Sequence, residues 1–172
     1  LSAMGAIPSL AARQAAEPTP PTILIVDDEG LMREFYADLL VESGFRVVTA
    51  SSGPEGLSVL PQYPVETVVL DIMMPEVSGL ETLEQIRQIA PDLPVIILTA
   101  HPSSQNAIAA LKLGAFDFIV KGIQHELVVV AVRRAVRHFA QLREKRHIIE
   151  TLQARLRELE ARVHELEARP AT

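Results

Sequence analysis

Between Thr22 and Val120 the chain alternates short, nearly unbroken apolar runs with longer segments whose apolar residues recur at helical spacing. The runs are Ile23–Asp27 (ILIVD), Phe45–Ala50 (FRVVTA), Glu66–Asp71 (ETVVLD), Pro94–Ala100 (PVIILTA) and Phe116–Val120 (FDFIV). Short segments rich in Val and Ile predict strands, and their alternation with helical segments predicts βα units around a parallel sheet. The runs at Ile23, Val68 and Val95 are apolar almost throughout, as in central strands covered by helices on both faces. The mixed Phe45 run suits an edge. Helices are predicted over 30–43, 53–61, 78–90 and 103–113, with Gly44, Pro91 and Gly114 where they stop and Ser78 and Ser103 as caps. Right-handed crossovers then give an α/β fold, a small doubly wound sheet closing near residue 122.

The pattern changes after that point. No Gly or Pro interrupts the sequence from Ile123 to Arg169, so one helix of about 46 residues and roughly 69 Å is allowed at 1.5 Å per residue. Its second half carries a heptad, with Leu142, Ile149, Leu156 and Val163 at a and Leu152, Leu159 and Leu166 at d. Arg155 and Arg162 fall at g, and Glu160 and Glu167 at the e positions five residues later, so a parallel pair of helices has opposite charges across the seam. Upstream the register weakens, because His138 and Lys145 fall at d. These features predict a parallel homodimeric coiled coil through Ile149, Leu152, Leu156, Leu159, Val163 and Leu166. The competing reading is an amphipathic helix folded back on the domain.

The chain therefore divides into a disordered leader (1–21), a globular domain (22–140), a coiled-coil helix continuous with its last helix (141–168) and a short tail (169–172). The leader is rich in Ala and Pro and lacks a basic start followed by an apolar run; Leu1 to Ala3, ahead of Met4, read as an expression scar. The end at ARPAT leaves open whether an output domain follows or the rod itself binds a partner.

At 172 residues and 48% hydrophobic content the chain can bury one sizeable core. A net charge of -6 does not advertise a nucleic-acid partner. The basic stretch Arg133, Arg134, Arg137, Arg143, Lys145, Arg146 is followed by no helix-turn-helix, so it reads as a solvated helix face and direct nucleic-acid binding is not expected. His138 and His147 read as ordinary helix positions. There is no cysteine, which fits a reducing compartment. No run approaches the roughly 20 apolar residues that span a bilayer, so the expectation is a cytoplasmic protein with no membrane partner.

Asp27 and Asp28 follow the first run, and Asp71 ends the third. In a sheet of order 2-1-3-4-5 these strand ends are neighbours at the switch point, where ligands bind. Like charges brought together raise one another's affinity for protons unless a cation sits among them. An all-oxygen cluster suits Mg²⁺, which uses few carboxylates and keeps several waters.

The set "IVDDE", "VVLDIMMPEVSGLE", "VIILTA" and "GAFDFIVK" resembles the receiver domain of two-component response regulators, over Thr22 to about Ala140. The resemblance implies a flavodoxin-like fold and a phosphorylation-dependent switch rather than an enzyme with turnover. Asp71 would be the phosphoacceptor, taking a phosphoryl group from a sensor histidine kinase or phosphotransfer protein. Asp28 and Asp71 would ligate Mg²⁺ directly, with the backbone carbonyl of Met73, and Asp27 would act through water. Thr99 and Lys121 would contact the phosphate, and Phe118 would move with Thr99. Family members commonly have Pro after the lysine; Gly122 stands there instead, which predicts a trans peptide and a looser loop.

Two other classes compete. A phosphatase or phosphotransferase built on a strand-ending aspartate needs a second Asp two residues on, where this chain has Met73. A scaffold whose coiled coil works independently of phosphorylation would need a defect in the acidic set, and none is visible.

Overall fold

The structure is a computed structural model and describes residues 19–168. The assignments for most of the leader (residues 1–18) and for the tail (169–172) lie outside the described residues. Five parallel strands, β1 (Thr22–Val26), β2 (Arg46–Ala50), β3 (Val65–Leu70), β4 (Val95–Thr99) and β5 (Asp117–Val120), form one sheet of order β2-β1-β3-β4-β5. Between them run α1 (Gly30–Glu42), α2 (Gly53–Val59), α3 (Gly79–Ile89) and α4 (Ser104–Lys112), and the long α5 (His125–Glu167) follows β5.

Burial follows the sequence pattern. Every residue of β1 and β4 is buried, whereas β2 at one edge is exposed at Arg46 and Thr49 and intermediate at Val47 and Val48 before ending on buried Ala50. The sheet separates two apolar layers, as βα crossovers on both faces require. On one face Leu24, Val26, Val68, Leu70 and Ile97 meet Leu83 and Ile86 of α3 and Ala110 of α4. On the other Ile23, Ile25, Val69, Ile96 and Leu98 meet Tyr36 and Leu40 of α1 and Val128, Val132 and Ala135 of α5.

Ser78 and Ser103 cap α3 and α4 as expected, and Glu81 completes a capping box on α3. Ser52 caps α2 in the same way. Gly44 and Gly114 adopt positive φ just after α1 and α4, where a Cβ would be strained.

α5 starts two residues later than the sequence suggests, at His125, and spans 43 residues. Its first part is bound into the domain through Val128, Ala131, Val132 and Ala135. From Arg143 onward every described residue of the helix is exposed, so it leaves the domain rather than folding back over it. The heptad residues from Ile149 to Leu166 are 42% to 63% exposed. The basic stretch is more engaged than a solvated face. Arg133 donates to the Ser43 carbonyl and lies over the Phe45 ring, Arg134 pairs with Asp117, and Arg146 pairs with Asp92. These contacts tie the root of α5 to Ser43, Asp92 and the first residue of β5.

Candidate functional site

The site is assembled at the carboxyl ends of the strands. β1 and β3 lie side by side with Val26 opposite Leu70, so the next residues, Asp27 and Asp71, leave the sheet together. The ladder continues one step past each strand: Asp71 N–H donates to the Val26 carbonyl at 2.9 Å, and Asp27 N–H to the Ala50 carbonyl at 3.1 Å. Both carboxylates thus sit one residue beyond the strands expected to end on them, fixed by backbone bonds. Asp28 is exposed beside them. Asp27, Asp28 and Asp71 each offer an oxygen within 4.8 Å of the others.

Lys121 enters from one residue past β5, where its N–H donates to the Thr99 carbonyl at 2.9 Å. Its Nζ lies 2.6 Å from Asp27 Oδ2 and 2.8 Å from Asp71 Oδ2, with all three side chains nearly buried. The remaining oxygens are held by backbone donors. Glu29 N–H donates to Asp27 Oδ1 at 2.9 Å, and Met73 N–H to Asp71 Oδ1 at 3.1 Å.

Burial pushes the Asp27 carboxyl above its ordinary value, against the Lys121 ammonium and the Glu29 N–H, which act to lower it. Burial acts on Lys121 to lower it, but the Asp27 and Asp71 carboxylates together outweigh that, and its ammonium is held above the ordinary range. Both partners shift upward because one ammonium is divided between two carboxylates while burial acts on each separately. Three carboxylates against one ammonium leave a net negative pocket whose candidate ligand atoms are carboxylate oxygens. Such a donor set fits a hard divalent cation.

The loop after Asp71 is shaped by close approach. Gly79 N–H and Met74 N–H both return to the Ile72 carbonyl, at 2.9 and 3.1 Å. A Cβ at Gly79 would overlap the Asp71 carbonyl, so only glycine lets the start of α3 close over the loop here. Glu76 takes the strain of the turn at a φ of 65°. The Met73 side chain faces outward, 53% exposed, while Met74 is buried.

Thr99 is fully buried, and its Oγ1 accepts from His101 N–H at 3.2 Å. Phe118, half-buried on β5, pairs with Ile97 and packs against the α3 and α4 layer. No cis peptide occurs among the described residues, and Gly122 sits at a φ of 83°.

Two contacts near the site were not anticipated. Arg33 donates to the Asp27 carbonyl at 2.6 Å, and Tyr36, buried on α1, reaches His125 at the start of α5. The signal for Tyr36 was present, since Met32, Tyr36 and Leu40 recur every fourth residue on the inward stripe of a helix that begins beside Asp28.

This arrangement has known relatives. Residues 23–133 match the family model described as the response regulator receiver domain. The chain belongs to that family. The transcriptional regulatory protein GlrR of Escherichia coli is 36% identical over 127 residues, and the probable transcriptional regulatory protein TcrX of Mycobacterium tuberculosis 35% over 122. Those alignments cover 74% and 71% of this chain but 29% of GlrR and 52% of TcrX, so the chain spans about a third to a half of these relatives. A receiver domain protein from Clostridium thermocellum has a TM-score of 0.67 at 35% identity, covering 71% of this chain and 98% of that one. TrrA of Thermotoga maritima, solved in complex with Mg²⁺ and BeF, has a TM-score of 0.62 at 32% identity, covering 67% and 98%. Receiver domains are signalling modules, and the sheet order and acidic pocket of this chain are those of the family. Among the described residues no helix is long and apolar enough to cross a membrane.

Proposed function

We propose that this receiver domain is a phosphorylation-dependent switch in which Asp71 accepts a phosphoryl group from the phosphohistidine of a partner kinase or phosphotransfer protein. The observation that carries this reading is the convergence of Asp27, Asp28, Asp71 and Lys121 from three separate strand ends into one pocket. An Asp71 carboxylate oxygen attacks phosphorus, the P–N bond to the imidazole breaks with its electron pair passing to the ring nitrogen, and an acyl phosphate results. Lys121, already bound to Asp71 Oδ2, is placed to follow the phosphoryl oxygens as charge moves onto them. The backbone N–H of Met73 keeps the other Asp71 oxygen in place.

Asp28, Asp71 and the Met73 carbonyl would hold Mg²⁺, with Asp27 acting through water. Bound there, the ion supplies neutralisation of the phosphoryl charge. The phosphatase reading lacks its acid/base, because the residue two after Asp71 is Met73 with its side chain turned outward. Thr99 would exchange its bond with His101 N–H for one to a phosphoryl oxygen, and Phe118 would settle toward the space vacated. On this reading the chain is a cytoplasmic phosphoacceptor rather than a turnover enzyme. The expected metal dependence is direct: labelling by a small phosphodonor stops when Mg²⁺ is chelated, and Asp28→Asn raises the Mg²⁺ needed for half-maximal labelling by about tenfold or more. Equal Mg²⁺ dependence in the variant would contradict the ligand assignment.

The output reading is a parallel dimer through α5. The exposed residues Ile149, Leu152, Leu156, Leu159, Val163 and Leu166 form a seam with no cover from their own domain. Arg155, which bonds Glu158 within the chain, and Arg162 face Glu160 and Glu167 of a parallel copy in the heptad register. Each leucine buried at such a seam contributes about 1.5–3 kcal/mol. Leu156→Asp with Leu159→Asp should therefore convert a dimer into a monomer by light scattering, with receiver melting unchanged. A wild type that is monomeric at micromolar concentration would remove this output.

A further inference from the structure

The β5–α5 loop has a problem of rigidity. Lys121 must hold its ammonium between two carboxylates, yet the next residue is Gly122 at a φ of 83°, the residue type with the widest backbone freedom. A Cβ there would meet nothing within 4 Å, so no packed neighbour confines the glycine. Something outside the loop has to fix it.

Tyr36 is the candidate. It is 1% exposed on the inner face of α1, and its hydroxyl lies 3.4 Å from Nδ1 of His125, the first residue of α5. The His125 ring is also gripped edgewise by Phe35 at 4.6 Å and Tyr36 at 5.9 Å between centroids. A buried phenol needs a polar partner, and this one finds it in His125, on the far side of Lys121.

We propose that Tyr36 and His125 form a clasp that holds the β5–α5 loop against α1, making Tyr36 a positioning residue for the Lys121 ammonium. The clasp also ties the first turn of the rod-forming helix to the helix that begins beside Asp28. A change at the acidic pocket is thereby delivered to the root of α5 through Lys121, Gly122 and His125. The functional half rests on the phosphoacceptor reading of Asp71; the anchoring half does not.

The test uses the full chain with Tyr36→Phe, His125→Phe and the double variant, which keep the aromatic rings and remove the polar contact. Amide hydrogen exchange of residues 122–124 should speed up about fivefold in either single variant, the equivalent of one neutral hydrogen bond, with global melting little changed. Mg²⁺-dependent labelling by acetyl phosphate should slow by a similar factor at saturating Mg²⁺, with the Mg²⁺ requirement unaltered because its ligands are untouched. Both partners serve one contact, so the double variant should be no slower than either single. Unchanged exchange in Tyr36→Phe, or a double variant slowed by the product of the two singles, would overturn the clasp. Failure of the wild type itself to label would overturn the phosphoacceptor reading, while the exchange result would still decide the anchor.

Discussion

Replacing Lys121 with methionine is expected to lower the free energy of unfolding at pH 7 by about 3 kcal/mol, since removing one member of a buried ion pair strands its partners. Here two carboxylates are stranded, Asp27 and Asp71, which Nζ reaches at 2.6 and 2.8 Å from a side chain only 4% exposed. Methionine keeps most of the stem's apolar contacts, so the loss reports charge rather than volume.

The deficit should depend on pH in a fixed direction. Asp27 is held above its ordinary value of 3.8, mainly by burial. A carboxyl raised in this way contributes stability that is fully present below 3.8 and is lost as pH rises through its folded value. Without the ammonium that value rises further, so the variant loses more than wild type between acid and neutral pH. Lys121 is also raised, and its own contribution disappears only above its ordinary value of 10.5. The gap between variant and wild type should therefore be wide at pH 7 and narrower near pH 4. Mg²⁺ should restore the variant more than the wild type, by placing positive charge among the same oxygens. Urea unfolding at the two pH values, with and without Mg²⁺, checks this. A gap that is the same at both and indifferent to Mg²⁺ would mean that the pair is not electrostatically coupled as described.

Much of this was legible because strand order and apolar patterning are strongly constrained. Once Ile23, Val68 and Val95 were read as buried strands, right-handed crossovers left few topologies, and Asp27, Asp28 and Asp71 had to meet. Their boundaries were less legible. Asp27 and Asp71 lie one residue past their strands because the final ladder bond is made by their own N–H groups while their side chains already turn into the pocket. Ser52 was overlooked although Ser52 and Glu55 have the spacing of a capping box. The pinning of α5 by Arg133, Arg134 and Arg146 was not readable, since a basic helix face looks the same whether it meets water or a neighbouring loop. Tyr36 was hidden for a related reason. An aromatic on an inward helical stripe signals core, and only the fold brings its hydroxyl to His125 from a separation of 89 residues.

The acidic pocket and the long helix α5 meet at one short loop. Lys121 bridges the two carboxylates of the pocket, Gly122 gives the turn, and α5 begins at His125. Movement of Lys121 toward a phosphoryl group would shift the attachment of a 43-residue helix at its base. Small displacements at such a root are amplified when the element they bias has two discrete arrangements.

The central claim is that Asp71 itself carries the phosphoryl group, and intact-mass measurement after incubation with Mg²⁺ and acetyl phosphate tests it most directly. The wild type should gain the mass of one phosphoryl group, lost on treatment with hydroxylamine as an acyl phosphate must be. Asp71→Asn, which keeps the side-chain shape but removes the nucleophilic carboxylate, should gain none. A phosphoryl adduct of equal yield on Asp71→Asn, or none on the wild type in saturating Mg²⁺, would contradict the account.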